Sequence, residues 1–253
     1  MHLIRFLPRL CALALGFCFA LAGSAQAFEH ATLDALLKER VSNGRVDYAA
    51  LKTDARLGSY LDALAAADVA ALGARDARLA FWINAYNAYT LKLVADHHPV
   101  KSIRDIPHPG VDSPWDLPVA RVGGCDLSLN HIEHQVLRAE LKEPRIHYAV
   151  VCAAVSCPPL RAEAFVAERI DEQFADQARV FLGTLNRFDA KARRAELSQI
   201  FNWFAADFGG EPAAVLRALA PYAPAAVRAS LAADSGKWTV TYLDYDWSLN
   251  ERR

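Results

Sequence analysis

The chain lacks charge of one sign. Lysine and arginine number 28 against 29 aspartates and glutamates, a formal net charge of -1. So even a balance supplies no attractive field for nucleic acid and no polybasic patch for a membrane surface. Beyond residue 27 the sequence also lacks an apolar run of the roughly 20 residues a bilayer-crossing helix needs. The common signatures of nucleotide, hydrolase and zinc chemistry are missing too: no glycine-lysine phosphate loop, no G-x-G-x-x-G, no G-x-S-x-G and no H-E-x-x-H. The reading therefore calls for no cofactor and no nucleic-acid partner. Internal repeats and low-complexity tracts are absent as well. What remains is a chain of 253 residues, 53% of them apolar, which can bury a sizeable core and is neither disordered nor fibrous.

Cysteine is scarce, and its placement is informative. Arg5 and Arg9 precede an apolar stretch from Leu10 to Ala22, which ends in Gly23, Ser24 and Ala25-Gln26-Ala27. A basic start, a short apolar middle and a small-x-small end predict a secretory leader over residues 1–27, cut after Ala27. Residues 28–253 are then expected as one periplasmic or secreted domain without a transmembrane segment. Cys11 and Cys18 leave with the leader, and Cys125, Cys152 and Cys157 remain. Three thiols allow at most one internal disulfide. In an oxidising compartment the close pair Cys152–Cys157 is the candidate for it.

Hydrophobic spacing predicts helices around Leu33–Leu37, within Ala55–Ala67, over Ala74–Asp96 and along the stripe Phe174, Ala178, Phe181, Leu182 and Leu185. Ser42-Asn43-Gly44 reads as a turn, and Gly123-Gly124 as the turn of a hairpin. Ser128 or Asn130 is expected to cap a helix running to Leu141. Arg145–Cys152 reads as a buried strand, and short helices are expected over Asn202–Phe208, Ala213–Ala220 and Ala225–Leu231. Glu196–Ile200 and Lys237–Tyr245 read as strands. Helices outnumber scattered strands. The expected class is α+β, a helix-rich single domain with a small, mainly antiparallel sheet.

Reactive side chains concentrate between Cys125 and Cys157: His131, Glu133, His134, His147 and Cys152 lie between them. His131 and His134, three apart, share a helix face, and with a cysteine they make a zinc-binding alternative. His131-Ile132-Glu133 also matches half of the zinc-deaminase signature. However, four residues separate the cysteines where that signature has two, so no residue is assigned to metal. A thiol nucleophile needs an imidazole beside it and a group to orient that imidazole. Cys157, in a turn before Pro158, is the better candidate, with His147 or His134 as base and Glu133, Asn84 or Asn87 to orient it. Asn84 and Asn87, three apart on a greasy helix, read either as a polar, substrate-binding wall or as clamps on a neighbouring backbone.

Five motifs in one order then carry a resemblance: FWINAYNAYTLKLV (Phe81–Val94), IEHQVLR (Ile132–Arg138), RIHYAVVCAAVSCPPLR (Arg145–Arg161), IFNWFAADFG (Ile200–Gly209) and YDWSLN (Tyr245–Asn250). Together they resemble the family called domain of unknown function 547, found in bacterial exported proteins and in plant proteins, over roughly Val46 to Asn250. The resemblance implies a pattern falling on Asn84, Asn87, Glu133, His134, His147, Cys157 and Pro158, and implies no settled activity. It also implies a glycine after the first cysteine, where this chain has Ala153. The leading expectation is a thiol-dependent hydrolase or acyl transferase acting on a peptide or envelope-derived ligand. The alternatives are a non-catalytic binding or assembly module closed by a Cys152–Cys157 disulfide, and a zinc-binding protein.

Overall fold

Asn43 and Gly44 both take positive φ, 50° and 74°, the geometry a two-residue hairpin turn requires. They reverse the chain between β1 (Val41–Ser42) and β2 (Arg45–Val46), directly after α1 (Ala31–Arg40). A Cβ on Gly44 would meet the Pro159 Cβ at 2.5 Å, so this turn also lets the backbone close on the segment after Cys157. The computed structural model describes residues 28–252, and the leader expected over 1–27 lies outside them.

Two short helices, α2 (Tyr48–Leu51) and α3 (Ala55–Ala65), lead to the central helix α4 (Arg75–His97). From Leu79 through Leu91 every residue of α4 is buried. A helix covered on all sides occupies the middle of a domain rather than its surface. Around it pack α2, α3, the hairpin of β3 (Ala120–Val122) and β4 (Cys125–Leu127), and the helix His131–Glu140, with α1 against α3. A second apolar cluster lies on α5 (Ile170–Thr184), centred on Phe181, Phe201 and Phe208. It holds together β5 (Arg187–Asp189), β6 (Arg194–Leu197), α6 (Ile200–Trp203), α7 (Pro212–Leu219), α8 (Ala225–Asp234) and β7 (Thr239–Tyr242). Tyr245 packs against both clusters.

The sheets are small, as expected for a helix-rich α+β domain. β1–β2, β3–β4 and β5–β6 are antiparallel. β7 joins β6 in parallel, from Arg194↔Thr239 to Leu197↔Tyr242. The intervening helices α6 to α8 supply the long crossover that a parallel pair requires.

Two expectations are corrected. Arg145–Cys152 is not a strand: Pro144–Tyr148 forms a tight 3₁₀ turn. Glu143 caps it, its carboxylate accepting from the Arg145 N–H at 3.1 Å and from Arg145 Nε at 2.7 Å, and Pro144 opens the turn, where a missing N–H costs nothing. The segment is buried as a strand would be, but its local caps choose the conformation. The helix His131–Glu140 forms where expected, with Ser128 Oγ accepting from the His131 N–H at 3.0 Å, but it is wound as a π-helix. Its last turn closes through the Leu141 N–H to the Val136 carbonyl, five residues back, at 2.9 Å.

Candidate functional site

The turn from Cys152 to Cys157 curls tightly enough that residues five apart meet. Ala153 adopts φ 57°, in the left-handed region where a side chain is strained. The Cys157 N–H donates to the Ala154 carbonyl at 3.2 Å. The Cys152 N–H in turn donates to Cys157 Sγ at 2.8 Å. Two outer elements hold this turn in place. From α4, the Asn87 amide donates to the Ala149 carbonyl at 2.9 Å and accepts from the Val151 N–H at 3.0 Å. From the C-terminal segment, Asp246, Ser248 and Asn250 bond to the backbone of Ser156, Val155 and Ala153. Asn250 is anchored by Tyr48, whose hydroxyl donates to Oδ1 at 2.7 Å.

Cys125, Cys152 and Cys157 are all free thiols. The Cys152–Cys157 disulfide considered from the sequence is thus not formed. The two sulfurs differ in environment. Cys157 is buried, 4% exposed, and burial together with the neighbouring Cys152 charge pushes its thiol well above the ordinary range. Cys152 is only partly buried. Desolvation opposes its thiolate, but hydrogen bonds from the Cys157 thiol, the Tyr245 hydroxyl and the Ala154 backbone outweigh it and hold the thiol below its usual value. The Tyr245 oxygen lies 3.0 Å from Cys152 Sγ. Burial keeps that phenol protonated, so it has a proton to donate to a Cys152 thiolate.

A chain of charged groups approaches the thiols from the opposite wall. Arg138, on the π-helix, grips Asp207 with two parallel bonds, Nε to Oδ2 at 2.6 Å and Nη2 to Oδ1 at 2.9 Å. Asp207 Oδ2 also accepts from His147 Nε2 at 2.7 Å. These bonds, His147 first and Arg138 second, hold the Asp207 carboxyl well below the usual carboxylate range. His147 is 2% exposed, and its ring stacks on Phe204 at 4.1 Å between centroids. Its other nitrogen, Nδ1, faces Glu133 Oε1 at 4.0 Å. Glu133 and the buried Tyr86 line the same cavity, and the Glu133 charge opposes ionisation of Cys152. His134 Nδ1 lies 3.0 Å from Arg138 Nη1. A guanidinium only donates, so Nδ1 is the acceptor and the His134 proton sits on Nε2.

Glu133, His134, His147, Cys152 and Cys157 share one cavity of about 160 Å³. Tyr86, Trp115, Trp203, Tyr245 and Trp247 form its aromatic wall. Trp203 stands 48% exposed, stacked on Trp247 with 20° between the ring planes. The volume falls below the roughly 300–1,000 Å³ of sites that enclose whole small molecules, so it suits one side-chain-sized group of a larger ligand. A wider groove of about 730 Å³ lies along the far side of Cys157. Its Arg161 is paired with Glu163 and Asp176, and the histidines and Glu133 face the smaller cavity.

The predicted site residues thus separate into two groups. Cys157, His134, His147 and Glu133 come together on one cavity. Asn84 and Asn87 do not line it. Asn84 exchanges two hydrogen bonds with the Phe165 backbone, at 2.8 and 2.9 Å, and Asn87 likewise clamps Ala149 and Val151. His131 is exposed while His134 faces the cavity, because the wide π turn separates them. Among the described residues no cluster of three or more His, Cys, Asp or Glu side chains is placed to hold a metal. Asp207, Tyr245, Trp203 and Trp247 join the cavity or its charged wall without having been among the candidate residues. Their position in the two motifs after residue 200 was the available signal that they belong to the same site.

Comparison with known proteins bears on this segment directly. Residues 70–182 match the family described as Protein of unknown function, DUF547. No curated protein and no solved structure matches the chain. The DUF547 segment is narrower than the Val46–Asn250 span the motifs suggested. It contains α4, the π-helix and both thiols of the turn, and so carries Glu133, His134, His147, Cys152 and Cys157. Asp207, Tyr245 and the two tryptophans of the rim lie outside it. The DUF547 description names no activity, so the chemistry rests on the geometry of this chain.

Proposed function

We propose that this protein is a thiol-dependent hydrolase or acyl transferase in which Cys152 is the nucleophile. The observation that carries the proposal is the Tyr245 hydroxyl 3.0 Å from the Cys152 sulfur, on a partly buried residue that lines the cavity beside Glu133 and His147. Donors aimed at a thiolate make it available at neutral pH, and the thiolate is the attacking species. The role expected for Cys157 passes to its neighbour, since Cys157 is more deeply buried and supplies a hydrogen bond instead. Among the described residues no imidazole is bonded to either sulfur; the site resembles a thiol supported by a phenol, with acid–base groups across the cavity.

In the proposed reaction the Cys152 sulfur attacks an amide or ester carbonyl and expels the amine or alcohol. Glu133 and His147 share the proton that the leaving group takes up, with Asp207 holding the His147 ring. Water or a second amine then attacks the thioester and releases Cys152. The Nε2–H of His134 is a donor for the developing oxyanion. The cavity size favours an acyl group the size of an amino-acid side chain, as in a peptide or an envelope-derived amide. The leader pattern over residues 1–27 supports action outside the cytoplasm.

The test is acylation. Incubation with an activated amino-acyl ester followed by acid quench and peptide mass spectrometry is expected to place the acyl group on Cys152. Cys152→Ser is expected to lose that adduct while Cys157→Ala keeps it. An adduct confined to the exposed Cys125, or none, rejects the proposal.

A further inference from the structure

The two thiols of the turn point to a second reaction at the same site. We propose that Cys152 and Cys157 form a dithiol couple that undergoes thiol–disulfide exchange with low-molecular-weight disulfides. This inference rests on the reading of Cys152 as a reactive thiolate.

The geometry separates the roles of the two sulfurs. Cys152 is partly exposed on the cavity wall, whereas Cys157 is 4% exposed and sits behind it. An incoming disulfide therefore meets Cys152 first. Cys157 Sγ accepts from the Cys152 backbone N–H at 2.8 Å, and both sulfurs line the same cavity. The second sulfur is thus held against the residue that carries the first. The turn is short and fixed from three sides, by Asn87, by the backbone of Asp246, Ser248 and Asn250, and by its own Cys157–Ala154 bond. A structural cysteine pair needs no such asymmetry of exposure. An attacking and resolving pair requires it.

The exchange proceeds in two steps. The Cys152 thiolate attacks one sulfur of RS–SR, forming Cys152–S–SR and releasing RS⁻. Cys157 then loses its proton and attacks the Cys152 sulfur, forming the Cys152–Cys157 bond and releasing the second RS⁻. The protein dithiol gives up two electrons and the small disulfide takes them, leaving as two thiols after proton uptake. Burial holds the Cys157 proton most strongly, and the first step removes the Cys152 charge that adds to that hold. The Cys152 N–H remains to stabilise the Cys157 thiolate as it forms.

The experiment uses the whole mature chain and oxidised glutathione, with peptide mapping after acid quench. Wild type is expected to lose two hydrogens between Cys152 and Cys157 and to retain no glutathionyl group there. Cys157→Ala and Cys157→Ser are expected to accumulate glutathione on Cys152, and Cys152→Ala to do neither. Two substitutions at position 157 guard against one failing to fold, and Cys125 serves as the exposed internal control. Stable glutathionylation of Cys152 in wild type, with normal iodoacetamide labelling, overturns this inference and leaves the acyl-transfer reading standing. A Cys152 inert to both reagents overturns both.

Discussion

The Tyr245 hydroxyl oxygen lies 3.0 Å from the Cys152 sulfur, across 93 residues of sequence. That contact links the DUF547 segment to the C-terminal YDWSLN motif and makes the reactivity of one dependent on the other. A hydrogen bond to a charged group contributes about 1.5–3 kcal/mol, and each pK unit corresponds to about 1.4 kcal/mol. Tyr245→Phe is therefore expected to raise the Cys152 thiol pKa, since the thiolate loses a donor. Alkylation at pH 7 should slow by roughly tenfold or more. An unchanged rate in a folded variant would mean that Tyr245 does not donate to the thiolate.

Asn84 gives a different expectation, because its amide serves the Phe165 backbone and does not face the cavity. Asn84→Ala strands a buried N–H and a buried carbonyl, at about 1–3 kcal/mol each. Urea denaturation should show a loss of roughly 2–6 kcal/mol, with Cys152 alkylation unaltered in the native protein. Undiminished stability with altered labelling would make Asn84 a ligand-facing residue after all.

Ala153 occupies a left-handed backbone position while its methyl is buried. Ala153→Gly gives up about 0.8 kcal/mol of methyl burial but removes roughly 1–2 kcal/mol of backbone strain. Ala88, equally buried in the middle of α4, has no strain to relieve, and glycine there costs about 1 kcal/mol of helix propensity as well. Thermal denaturation should place Ala153→Gly close to or above wild type, and Ala88→Gly about 2 kcal/mol below it. Equal losses at both sites would show that position 153 carries no strain.

His30 supplies a pH dependence whose sign can be worked out. Burial lowers its pKa to about 4, partly opposed by the Glu168 charge, and its Nδ1 lies 2.8 Å from the Tyr60 hydroxyl. In the unfolded chain a histidine titrates near 6.5, so between these values the unfolded state binds more protons. Stability then falls as pH drops from about 6.5 toward 4, by up to roughly 3 kcal/mol from this residue. The stability gap between wild type and His30→Gln, measured by urea unfolding at pH 7.5 and 4.5, should shift toward the variant at the lower pH. A gap independent of pH would assign the acid sensitivity elsewhere.

The sequence makes much of this arrangement legible, for identifiable reasons. The helix over Ala74–Asp96 announces itself through continuous apolar periodicity, and the structure forms α4 over Arg75–His97. The Asn43-Gly44 and Gly123-Gly124 turns are set by local positive-φ chemistry, so they too can be read. Arg145–Cys152 misleads because its β-branched, buried character outweighs the signal of Glu143 and Pro144, a cap and an opening proline. The π winding of His131–Glu140 has no counterpart in a 3.6-residue pattern, which is why pairing His131 with His134 by spacing fails. Glu133, His134, His147 and Cys157 can be grouped from their motifs, but the order of the two thiols cannot. It depends on Tyr245 and on a turn whose hydrogen bonds come from residues nearly 100 positions away.

The most direct test is the pH–rate profile of iodoacetamide alkylation, followed separately at Cys125, Cys152 and Cys157 in one native sample. Cys152 is predicted to react with an apparent pKa below that of an ordinary thiol, and Cys157 to stay protected throughout the range. A Cys152 profile that rises only where a free cysteine titrates, or a Cys157 that reacts first, would contradict the assignment of the nucleophile.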